Sequence, residues 1–143
     1  MNKKVPKTSM LPIWSIIGQA MKRRIANWKL PTPAAFTLLH LYTHPEDAEP
    51  ARLSESIGIP RQTMTFTLDA LEKQKLATRK SHPNDRRRKI ISLSDKGKKF
   101  ADAILQDLKK FEAQALSEFT TAEFTTLHTL TQKFANALQK IQS

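Results

Sequence analysis

Between Pro50 and Gly97 the chain is punctuated so closely that few folds remain open to it. Pro50-Ala-Arg-Leu-Ser-Glu-Ser-Ile-Gly-Ile-Pro60 sets Leu53 and Ile57 four residues apart and stops at Gly58, the pattern of a two-turn helix with a glycine exit. Pro50 suits a first helical position, where no intrahelical N–H is lost. Pro60 is expected to play the same part for a second helix, predicted over residues 60–75, with Met64, Leu68 and Leu71 on one face. Opposite that stripe stand Arg61, Gln62, Thr63, Thr65, Phe66 and Thr67. Arginine and glutamine bond base edges bidentately, and threonine bonds them or touches a thymine methyl. The pattern fits either a helix that reads the DNA major groove or a solvated helix face.

The continuation favours the first. Leu76-Ala-Thr-Arg-Lys80 and Lys89-Ile-Ile-Ser-Leu93 are short and flank the turn-rich His82-Pro83-Asn84-Asp85, so a β-hairpin is predicted over residues 76–93. Its tip, Asn84-Asp85-Arg86-Arg87-Arg88-Lys89, is basic. A hairpin of this kind after a helix-turn-helix is a wing. Here the sequence resembles the MarR/SlyA-like family of winged helix-turn-helix transcription regulators. The likeness is carried by Leu53-Ser-Glu-Ser-Ile-Gly-Ile59, Leu68-Asp-Ala-Leu-Glu-Lys73, Leu76, Asp85-Arg86-Arg87 and Leu93-Ser-Asp-Lys-Gly97.

Composition narrows the function classes. At 143 residues and 39% apolar content, one domain is expected. The net charge of +11 favours a polyanionic partner, either nucleic acid or an anionic membrane surface. Arg79, Lys80, Arg86, Arg87, Arg88 and Lys89 gather at the wing instead of lining one amphipathic helix, so nucleic acid is preferred and no membrane partner is expected. There is no bilayer-length apolar run and no signal-peptide pattern from Met1 to Pro12, which leads to the expectation of a cytoplasmic protein. The absence of cysteine excludes disulfides, cysteine-based metal centres and a thiol switch. With three glycines and neither Gly-x-Ser-x-Gly nor His-Glu-x-x-His, no catalytic residue and no cofactor is expected.

The flanks read as helices around the wing. Residues 1–8 form a basic arm, expected to be mobile and to touch phosphate through Lys3, Lys4 and Lys7. Met10, Ile13, Trp14, Ile17, Met21, Ile25 and Trp28 predict an amphipathic helix over 9–29, of about five turns. Thr32 is expected to cap the next helix with Pro33 at its first position, and Phe36, Leu39 and Tyr42 or Thr43 continue its stripe to His44-Pro45. His40 and His44 are spaced to share a helix face, with Glu46 or Asp47 nearby, but a third ligand is not evident and no metal site is expected. Ser94 is expected to cap a long helix carrying Phe100, Ile104, Leu108 and Phe111. Thr120-Thr-Ala-Glu123 is a capping box, with Phe119 and Phe124 placed as a hydrophobic staple. Leu127, Leu130, Phe134, Leu138 and Ile141 then form a stripe that needs a cover, either within the chain or from a second copy.

The resemblance implies more than the residues alone. It implies a mainly α fold with a small β-hairpin, the winged helix-turn-helix over residues 32–94 and helices 9–29 and 95–143 interdigitating in a homodimer. Two-fold symmetry then implies a pseudo-palindromic operator in double-stranded DNA. The resemblance also implies that Arg87 enters the minor groove with Asp85 bonding it, while Arg86, Arg88 and Lys89 touch phosphate. Relatives often carry a polar or basic residue at the position of Phe66, which leaves that residue between thymine-methyl contact and packing. Repression, relieved by a small aromatic or phenolic effector, is family habit, and Trp14, Ile17, Met21, Phe36, His40 and Tyr42 are the candidate pocket residues, unless that stripe is plain core. A winged helix without ligand control, nucleoid-like or RNA-binding, is the alternative.

Overall fold

The computed structural model describes residues 8–142, so Lys3, Lys4 and Lys7 of the basic arm lie outside the described residues. The order is α1 (Leu11–Ala26), α2 (Thr32–Thr43), a 3-10 turn (Pro45–Asp47), α3 (Pro50–Ile57), α4 (Arg61–Lys73), β1 (Ala77–His82), β2 (Asp85–Leu93), α5 (Asp95–Leu116) and α6 (Thr121–Gln142). β1 and β2 pair antiparallel in a two-stranded sheet. The chain forms two compact units, one up to Leu108 and one from Lys109 on.

The helix-turn-helix follows from its punctuation. α3 starts at Pro50 and ends at Gly58, whose φ of 73° is left-handed, a conformation that costs glycine little and a side-chain-bearing residue more. α4 starts one residue later than the sequence reading placed it. The Pro60 carbonyl accepts from Met64 N–H at 2.9 Å, so Pro60 is the cap and Arg61 the first helical residue. α2 is displaced the other way, one residue earlier: Pro31, not Thr32, accepts the first helical bond, from Ala35 at 2.9 Å, and Thr32 makes no side-chain cap bond. α4 closes at Lys73, and Lys75, at φ 59°, turns the chain into the wing.

One core holds the first unit together. Leu38, Leu53, Met64, Leu68, Leu71, Leu76 and Ile104 are at most 1% exposed and come from α2, α3, α4, the turn before β1, and α5. Burying each such side chain contributes about 1.5–3 kcal/mol against leaving it in water. Trp28 packs edge-on against Phe100 at 5.6 Å between ring centres, and its indole N–H donates to Asp107, which Arg24 also grips. α5 is seated by Ser94: its Oγ accepts from Gly97 N–H at 2.9 Å and donates to the Lys75 carbonyl at 2.7 Å. Gly97 lies so close to the Leu76 backbone that an added Cβ would stand 1.9 Å from its carbonyl oxygen.

The second unit contains the end of α5 and all of α6. Its capping box forms as read: Thr120 N–H donates to Glu123 Oε2 at 2.8 Å, and Glu123 N–H donates to Thr120 Oγ1 at 3.3 Å. The Thr120 N–H, together with the Thr120 hydroxyl that donates to the same oxygen at 3.0 Å, holds the Glu123 carboxyl below the usual carboxylate range. Every described side chain from Ser117 to Ile141 is exposed, including the whole apolar stripe of α6.

Candidate nucleic-acid interface

α4 divides its side chains by the core beneath it. Met64, Leu68 and Leu71 turn inward, and Arg61, Gln62, Thr65 and Phe66 are exposed on the other side. Thr63 is half-buried. Thr67 is only 5% exposed and leaves the groove-facing set, because it stands three residues after Met64 and shares its inner face. Thr65 Oγ1 donates to the Arg61 carbonyl at 3.2 Å, so its hydroxyl is engaged by its own helix. Phe66 is 67% exposed.

The wing departs from the expected shape in a way that concerns its arginines. The strands extend to His82 and Asp85, leaving only Pro83 and Asn84 between them, so the basic run is part of β2 and not of the turn. Ser81 pairs with Lys89 and His82 with Asp85, so β1 advances one residue while β2 advances four. Arg86, Arg87 and Arg88 are therefore carried in a bulge, without strand partners. Asp85 Oδ1 accepts from the Arg87 backbone N–H at 2.9 Å. It braces the main chain of the bulge and, among the described residues, makes no bond to the Arg87 guanidinium, the bond that the resemblance implied.

Three of the wing's cations are already occupied. Arg88 pairs with Glu49, donating Nε–H to Oε2 at 3.0 Å and an Nη to the other oxygen, and this holds the Glu49 carboxyl below the usual range. Arg88, expected at phosphate, here ties the bulge to the residue preceding α3. Beside it the Ile91 N–H donates to the Ala48 carbonyl at 2.7 Å, anchoring β2 to the same segment. Arg79 donates its backbone N–H, Nε–H and an Nη to Glu72 at 2.8, 3.1 and 2.8 Å, and bonds Asp69 as well. It fixes β1 against α4 and depresses the Glu72 pKa through these bonds. Lys89 donates to Ser81 Oγ at 3.3 Å. Arg61, Arg86 and Arg87 are exposed and make no side-chain hydrogen bond or ion pair among the described residues.

A crevice of about 830 Å³ lies in the first unit, lined by Lys22 of α1, by Thr32, Pro33, Phe36, Leu39, His40 and Thr43 of α2, and by Ser56, Ile57, Ile59 and Leu105. Of the candidate pocket residues, Phe36 and His40 line it. Trp14, Ile17, Met21 and Tyr42 do not: Trp14 and Ile17 are exposed, Met21 is half-buried, and Tyr42 donates to Asp102 at 3.3 Å. His40 Nε2 bonds Asp47 Oδ2 at 2.8 Å, and Ser56 donates to the same oxygen at 3.1 Å, which together lower the Asp47 pKa. The His40 and His44 rings stack at 4.6 Å, and no group of three or more metal-ligating side chains occurs among the described residues. Ile57, Ile59 and Leu105, from separate elements, were not read from sequence.

Residues 28–88 match the model of the MarR family. The whole fold is similar to MepR of Staphylococcus aureus in its DNA complex, with TM-score 0.77 and 21% identity over 92% of this chain and 99% of that one. MarR superposes with TM-score 0.75 and 21% identity over 93% and 99%. MepR bound to ethidium bromide gives TM-score 0.60 and 22% identity over 92% and 98%. Six helices with one antiparallel hairpin, in this order, are the MarR winged-helix fold.

Proposed function

We propose that this chain, whose winged-helix segment belongs to the MarR family, is a homodimeric, sequence-specific DNA-binding transcription regulator that acts as a repressor and is relieved by a small aromatic or phenolic effector. The observation that carries the proposal is the division of cations: Arg79 and Arg88 hold the wing to the body, whereas Arg61, Arg86 and Arg87, which are among the described cations without an ion pair, lie on the outer face of α4 and in the wing bulge. Arg61 and Gln62 reach base edges in the major groove, Arg87 enters the minor groove, and Arg86 meets phosphate.

Residues 9–29 and 95–143 supply the dimer helices in this reading, and 32–94 the winged helix-turn-helix. The exposed stripe of α6 is the surface a second copy covers, and a cytoplasmic location follows from the role. Phe36 and His40 line the crevice between α1, α2 and α3, which supports that crevice as the effector's site. MepR has been seen both with DNA and with ethidium bromide, which supports a fold able to host both kinds of ligand.

Selection of bound sequences from random duplex DNA at near-physiological salt tests the reading. An inverted repeat with half-sites about one helical turn apart is expected. Recovery of no motif, with binding that vanishes as salt rises, would leave the nucleoid-like or RNA-binding alternative. On the recovered operator, Arg87→Ala should weaken binding by about 1–3 kcal/mol, and loss of the effector response in a Phe36 variant would locate the crevice.

A further inference from the structure

Phe66 is the feature of α4 that neither the core nor the cations explain. Its ring is 67% exposed, so packing against the described residues of its own chain does not account for it. It stands four residues after Gln62 and next to Thr65, at the centre of the outer stripe. Thr65 spends its hydroxyl on the Arg61 carbonyl, so the group it has left to present is its methyl. Asp69, one turn further on, is bonded by Arg79, which offsets a carboxylate that would otherwise repel phosphate. A helix flanked by Arg61 and Gln62 thus presents a small apolar surface in the middle of its outer face.

We infer that Phe66, with the Thr65 methyl beside it, makes α4 a reader of thymine methyl groups, so that specificity at the centre of each half-site is set by an apolar contact and not by a hydrogen bond. The C5-methyl of thymine is the one apolar group on the major-groove edges of the four bases, and burying it against a ring is the recognition such a surface can make. The inference rests on the DNA-binding reading above and adds the base it selects.

The test uses the full-length protein and the operator from the selection, with each thymine of one half-site replaced in turn by deoxyuridine. That change removes the methyl and leaves every hydrogen-bonding edge intact. At one central position the wild-type affinity should fall about fourfold, the worth of one buried methyl group. Phe66→Ala should bind the thymine and deoxyuridine operators equally, and Phe66→Leu should keep part of the difference. The ring lies outside the core, so both variants should retain the wild-type helical content. Equal affinity of the wild type for thymine and deoxyuridine at every position overturns this inference and leaves DNA binding standing. A Phe66→Ala protein that still discriminates the two bases moves the contact to another residue and overturns it as well. Failure to recover any preferred sequence overturns both readings together.

Discussion

α4 and α6 carry apolar residues at the same three- and four-residue spacing, yet Met64, Leu68 and Leu71 are at most 1% exposed, whereas Leu127, Leu130, Phe134 and Leu138 are 36–58% exposed. The periodicity states which face of a helix is apolar and nothing about what covers it. For α4 the cover is within the chain: α2, α3, the turn before β1, and α5 converge on one core. The α6 stripe stays exposed, although a capping box closes the start of its helix. Local order and burial are thus separable, and the second must come to α6 from association if the dimer reading holds.

Substitutions on the two helices should behave differently in kind. Leu68→Ala should cost about 2–5 kcal/mol, read by urea unfolding, at a midpoint that does not move with protein concentration beyond what dimerisation imposes. A loss below 1 kcal/mol would mean that the core relaxes around the site. Next in size, Leu130→Ala on α6 should weaken association by about 2 kcal/mol per copy and shift the sedimentation profile towards monomer, with the far-ultraviolet spectrum of the separated chains kept. An unchanged profile would assign the cover of α6 to something other than a second copy.

Ser94→Ala should destabilise the first unit by about 1 kcal/mol, since Ser94 caps α5 and bonds the Lys75 carbonyl together. The smallest effect is electrostatic. Arg79 lowers the folded-state pKa of Glu72, so the stability this pair contributes is present above the unfolded glutamate value, about 4.5, and is lost as pH falls through the lower folded value. Arg79→Gln should flatten the acid side of the stability profile below about pH 4.5 and leave α6 association unaltered. A parallel displacement of the whole profile, with its slope kept, would assign the role of Arg79 to packing.

Much of this architecture was legible in the residues. Pro50 and Gly58 fix α3 to the residue, and Thr120 with Glu123 fix the start of α6, because proline, glycine and a capping box act through the local backbone. Where the reading slipped, some determinants were local and others were not. Thr67 was grouped with the polar face by its residue type, although its spacing from Met64 and Leu71 puts it in the stripe. The wing was given a wide basic tip because His82 to Asp85 looks like a turn. The bulged register goes with Arg88 bonding Glu49 and Ile91 bonding Ala48, contacts distant in sequence. Of the six candidate pocket residues only Phe36 and His40 line the crevice, since residues such as Leu105 join it only once α5 has packed.

The bulge of Arg86 to Arg88 has a practical consequence. Exposed, unpaired backbone is where proteases cut first, and trypsin cleaves after arginine, so this segment is a set of adjacent cleavage sites on the native surface. Arg88 is held by Glu49, whereas Arg86 and Arg87 are free to enter a protease cleft, and the earliest fragments should end at those two. A duplex seated on the wing would slow these nicks before any other, so the wing would report its own occupancy as a footprint on the protein side.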